Sequence, residues 1–154
     1  MLYLWLKFIH AISSTILFGT GIGTACVMLY GHRTRKINII AAITQYVVFA
    51  DWIFTAPSAV IQLATGLWMV HLAGYSFTLF WIWGSIVGYV IAAICWFPVV
   101  YLQIKMRDFA MQADELKSQL PDRYYTYFKY WFCLGWPAFM SLVIVFYLMT
   151  NKPF

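Results

Sequence analysis

The chain has 154 residues, is 64% hydrophobic and only 10% charged, and carries a formal net charge of +5. Soluble domains run about 45–50% apolar and about 25% charged, and a soluble fold of this length buries only about 70% of what its chain exposes. The surplus apolar surface must face lipid, so a water-soluble enzyme or binding module is excluded.

The first apolar run, about residues 2–30, exceeds the roughly 20 residues that cross a bilayer core. It is too long for a signal h-region of about 7–15 residues, and no basic segment precedes it, so it is expected to remain as a transmembrane helix. Two faces separate at about 100° per residue. Ala11, Thr15, Gly19 and Gly23 form a small-residue ridge of the kind that lets helices approach closely, within one chain or between copies. A second face carries Lys7, His10, Ser13, Ser14, Gly21 and Thr24. His10 lies about 12 Å below the outer end, with Lys7 one turn nearer the water, where it can snorkel.

A basic link, residues 31–45, follows with His32, Arg33, Arg35 and Lys36. Span two covers about residues 46–71. Its polar residues Asp51, Thr55, Ser58, Gln62 and Thr65, with Met69, fall within about 40° of one another. Unpaired polar groups in lipid cost several kcal/mol each, so this face must meet protein or a polar cavity. Pro57 frees the carbonyl of Ile53, which Thr55 is near enough to satisfy. Asp51 has two readings, a salt bridge to Arg33, Arg35 or Arg107 and a proton relay. His71 sits at the outer boundary.

After an uncharged link (72–76), span three covers about residues 77–104 and repeats the small-residue device at Gly84, Gly88 and Ala92. Beyond it, Met106, Phe109, Ala113, Leu116 and Leu120 recur at three- and four-residue steps. This predicts an amphipathic helix continuing into the cytoplasm, ended by Pro121, with Asp122 able to cap its successor. The aromatic-basic run RYYTYFKYW anchors span four, about residues 130–149, at the inner interface. Cys26, Cys95 and Cys133 all fall within apolar runs. They offer no disulfide framework and read as small core residues.

Eight of the ten basic residues lie on the first and third links. By the positive-inside rule those links are cytoplasmic and both termini lie outside. The expected architecture is therefore all-α, a single four-transmembrane-helix bundle with an amphipathic cytoplasmic extension after the third helix. The positive charge is topological and suits anionic headgroups; it carries no nucleic-acid signal.

An ionisable residue inside the membrane is a functional hypothesis by default. Neutral imidazole is a good axial ligand for haem iron, and a four-helix interior can hold the macrocycle. His10 would ligate iron, Lys7 would pair a propionate and Gln62 would orient the bound group, with Met69 or Met140 as conceivable sixth ligands. The competing reading of His10 is a hydrogen bond to a neighbour at the same depth, such as Gln62.

The segments LYLWLKFIH, FADWIFTAPSAVIQLATG, CWFPVVYLQIKMRD and WFCLGWPAF resemble an uncharacterised family of small bacterial predicted integral membrane proteins, a domain of unknown function. That resemblance implies the topology and a bacterial cytoplasmic membrane, and it implies no activity. Residues 3–32 are also similar to the first helix of the four-helix haem-binding protoporphyrinogen oxidases, which implies a ligand role for His10. That helix ends with a proline-arginine pair and then a tyrosine-histidine pair. Here the stretch reads ACVMLYGHR, with Cys26 near the arginine position and Gly31 inserted in the last pair.

Together these features point to a b-type haem protein for electron transfer or porphyrin-linked oxidation, with a redox partner. The alternative is a non-enzymatic membrane subunit or scaffold whose polar seams fix packing while residues 105–129 dock a cytoplasmic partner. A third reading is a proton-coupled carrier using Asp51. Copies could pair through the Gly19/Gly23 or Gly84/Gly88 ridge.

Overall fold

The computed structural model describes residues 1–152, and every element in it is helical. Helix α1 spans Leu2–Thr34, α2 Ile37–Ala50, α3 Ala56–Leu72, α4 Phe80–Glu115 and α5 Asp122–Asn151. A five-residue π-helical turn, Asp51–Thr55, joins α2 to α3 without a break. With α2, the turn and α3 taken as one rod, 4 helices are long and apolar enough to cross a membrane. The 33 residues of α1 measure about 50 Å at 1.5 Å per residue, against a hydrocarbon core of about 30 Å. The helices therefore extend well past the bilayer.

That excess length is used at the end where the basic residues gather. The link expected at residues 31–45 shrinks to Arg35 and Lys36, with Arg35 in the left-handed region at φ 55°. The reason lies in INIIAAITQYVVFA, which places Ile40, Ala41, Thr44, Val47 and Val48 on one buried helical face. Helix α2 thus folds back along α1. Gly31 admits it: a Cβ there would stand 2.7 Å from Ile43 Cδ1. Met28, Ile40, Val47, Leu102, Met106, Ala110, Tyr124 and Phe128 then form the larger core. His32, expected in the basic loop, instead lies in the last turn of α1 and stacks on Phe128, with centroids 3.7 Å apart and planes at 10°.

The extension after span three is helical and amphipathic as expected, but its register differs in detail. Met106, Ala110 and Ala113 are buried, whereas Leu116 lies past the end of α4 and is 67% exposed. Asp122 is the first residue of α5, Pro121 holds the cap position, and Asp122 makes no side-chain capping bond. Its charge still favours the helix N-terminus.

At the opposite end the core is smaller: Val70, Trp81, Ile82 and Leu148. There α1 packs on α3, and α4 packs on α5. Gly84 and Gly88 serve the second pair from within the chain, since a Cβ on each would stand 3.1 Å from Leu148 and 2.7 Å from Val145. That ridge is therefore occupied and not open to another copy. Gly19, Gly21 and Gly23 have nothing within 4 Å, so the α1 ridge faces outward, and Gly21 is exposed with it. Cys26 and Cys133 are exposed and Cys95 is half-buried. The cysteines are not the core residues that their apolar context suggested.

Candidate functional site

On α1, His10 and Ser13 are three residues apart and share a face. On α3, Gln62, Thr65 and Gly66 present the facing surface. A Cβ at Gly66 would stand 3.2 Å from His10 Cε1, so the glycine lets the imidazole lie against α3. His10 Nε2 is 2.9 Å from Gln62 Nε2, and His10 Nδ1 is 2.9 Å from Thr65 Oγ1. Ser13 Oγ donates to Gln62 Oε1 at 2.6 Å.

These contacts admit one consistent polarity. Thr65 donates its hydroxyl proton to the Ile61 carbonyl at 2.6 Å, so its oxygen accepts from His10 Nδ1–H. Nε2 is then the bare nitrogen and accepts from the Gln62 amide, whose oxygen faces Ser13. The imidazole is neutral, and both of its nitrogens are engaged by α3. The four side chains form a clasp between the first and third helices, closed by their own donors and acceptors.

Beside the clasp lies a crevice of about 180 Å³ between α1 and the α4–α5 pair. His10, Ser14, Gln62 and Tyr89 contribute its polar edge, and Phe18, Leu142 and Phe146 much of its apolar wall. Tyr89 donates to the Ala59 carbonyl at 2.7 Å and so ties α4 to α3.

The structure brings together His10 and Gln62 and separates the other residues expected at the site. Lys7 is exposed and does not line the crevice. Met140 is 48% exposed on the outer face of α5 and does not reach His10. Met69 is half-buried and His71 is exposed. Ser13, Thr65 and Gly66 complete the clasp. Ser13 and Thr65 were visible only as members of polar stripes, and Gly66 carried no signal beyond its place beside Thr65.

Asp51, Thr55 and Ser58 are buried, as their shared face demanded. Asp51 lies about 16 Å along the helix from Gln62, so it forms a separate feature. The salt bridge expected for it is not formed among the described residues, and Thr55 does not make the contact expected of it. Among the described residues no arginine pairs with it: the Arg107 guanidinium pairs instead with Asp108 at 2.8 Å. Thr55 donates to Asp51 Oδ1 at 2.8 Å and leaves the Ile53 carbonyl alone. Gln103 of α4 meets the same carboxyl. The π-turn begins at Asp51, whose carbonyl accepts from the N–H of Ala56.

A b-type haem does not fit this arrangement. Iron would need a free imidazole nitrogen, and Gln62 and Thr65 hold both. The crevice is also far below the roughly 300–1,000 Å³ of pockets for drug-sized ligands, and a porphyrin with its substituents is no smaller.

The family described as "Predicted integral membrane protein (DUF2269)" matches residues 4–153, nearly the whole chain. No curated protein and no solved structure matches.

Proposed function

The chain belongs to the DUF2269 family of predicted integral membrane proteins, and we propose that it acts there as a non-enzymatic membrane subunit. One observation carries this reading: the intramembrane histidine, the residue best suited to cofactor chemistry, has both ring nitrogens bound to a neighbouring helix. Its role is then to fix the packing of α1 on α3. Interhelical hydrogen bonds in lipid are worth about 0.6 kcal/mol on average and up to about 1.7, enough for several acting together to set a helix register.

On this reading the protein sits in the cytoplasmic membrane of a bacterium, with its inner core beneath the bilayer. The apolar face of residues 105–129 is spent on that core through Met106, Ala110, Ala113 and Tyr124. A cytoplasmic partner would therefore meet the exposed side around Asp108, Leu116 and Tyr125.

The optical spectrum tests the proposal. Protein purified in detergent from haem-replete cells is expected to show no Soret band and to keep its helical circular dichroism. A Soret band that disappears in His10→Ala while the protein stays folded would replace this reading with the haem one.

A further inference from the structure

We propose that the crevice beside the clasp binds the carbonyl headgroup of a neutral, lipid-soluble molecule. Its mouth lies in the transmembrane region at Ala11, Phe146 and Thr150, all exposed, so lipid-phase molecules reach it directly.

The polar atoms around the crevice leave a defined set of unused valences. Gln62 Nε2 has two hydrogens and spends one on His10. Ser14 lines the crevice, and its hydroxyl makes no hydrogen bond among the described residues. Most helical serines in lipid satisfy themselves on a carbonyl one turn back, as Thr15 does with Ala11. Tyr89 donates to Ala59 and keeps its oxygen as an acceptor. The crevice thus presents two donors, the second Gln62 N–H and the Ser14 hydroxyl, and two acceptor oxygens, those of Ser14 and Tyr89.

A donor facing hydrocarbon is costly, and the acceptors available in the lipid phase are carbonyl and hydroxyl oxygens. No Lys, Arg, Asp or Glu lines the space. A carboxylate or phosphate would find no counter-charge there, and the ligand is neutral. About 180 Å³ equals roughly six waters at about 30 Å³ each, which suits a headgroup and leaves the tail in the bilayer. Two sources share this chemistry, a quinone ring and the ester of an acyl lipid. The paired rings of Phe18 and Phe146, with centroids 5.1 Å apart, offer an aromatic wall to either.

The proposal is independent of the subunit reading, because the clasp stays closed while the crevice fills. It is tested by titration calorimetry on the full chain in detergent micelles, corrected with empty micelles, using decylubiquinone and monolauroylglycerol as separate probes. Saturable binding of the quinone alone assigns the ring, of the ester alone the acyl lipid, and of both the shared carbonyl. Ser14→Ala should weaken binding roughly fivefold, the effect of one neutral hydrogen bond. Leu142→Trp should fill the space and abolish saturation. Absence of saturable binding by both probes overturns the proposal. So does wild-type affinity in both variants when circular dichroism shows them folded.

Discussion

His10 lies about 12 Å below the outer end of its helix, the depth at which a lone imidazole needs a companion, and Gln62 was legible as one neighbour at that depth, in the reading that competed with a haem ligand. The azimuth was harder to read. Met140 lies at a similar depth but on the far side of α5, because a count of residues gives height along a helix and says nothing of how a distant helix is rotated. Lys7 fails for a different reason, since a long cationic side chain near the surface finds water without help. The clasp makes a measurable claim. His10→Ala and Gln62→Ala should each destabilise the protein by about 1–3 kcal/mol, because each leaves a buried partner unsatisfied. The double variant should cost less than their sum, with a coupling of about 0.6 kcal/mol and at most about 1.7. Strict additivity in thermal or denaturant unfolding in micelles would show that the two side chains do not act as a unit.

Helix boundaries followed the hydrophobic period wherever one face stayed apolar, as in α4, where the stripe through Met106 and Ala113 ran on past the bilayer. The α1–α2 link was missed because its charges read as loop signals. Arg35 and Lys36 in fact make up the whole two-residue turn, and Arg33 lies in the last turn of α1. The π-turn was also invisible, since Pro57 announces a disturbance without saying which kind. A turn closed by an i→i+5 bond holds one residue more than an α-helical turn. Deleting Phe54, which is 45% exposed, should therefore relax the turn to α-helix and leave the protein folded. Deleting the similarly exposed Leu63 should rotate the residues beyond it by about 100° and separate Thr65 and Gly66 from His10. Monodispersity in size-exclusion chromatography and the melting temperature distinguish the two. Gly88 and Gly19 make a second contrast. Gly88→Leu drives a side chain into Val145 and should cost about 1–3 kcal/mol as overpacking. Gly19→Leu meets open space and should leave the melting temperature of the monomer unchanged.

At the scale of the molecule, composition sufficed for the class of protein and for the number of spans, because four apolar runs of this length have no other stable home. The uneven distribution of packing was not legible. It depends on α2 folding back along α1 to bring Val47 against Leu102 and Met106, a pairing between segments far apart in the chain. At the basic end this core binds the two helix pairs together. At the other end they meet through the smaller core of Val70 with Trp81, Ile82 and Leu148, the Tyr89 hydroxyl and the rings of Phe18, Phe139 and Phe146. The arrangement is that of a pair of scissors pivoted at the basic end, with blades joined at the far end only by the smaller core, one hydrogen bond and a few aromatic contacts among the described residues. Spin labels on Ala11 and Thr150, across the blades, should give a broader distance distribution than labels on Gln45 and Asp108 near the pivot. Equal widths would mean a rigid body, and any guest between the blades would then have to enter without their parting.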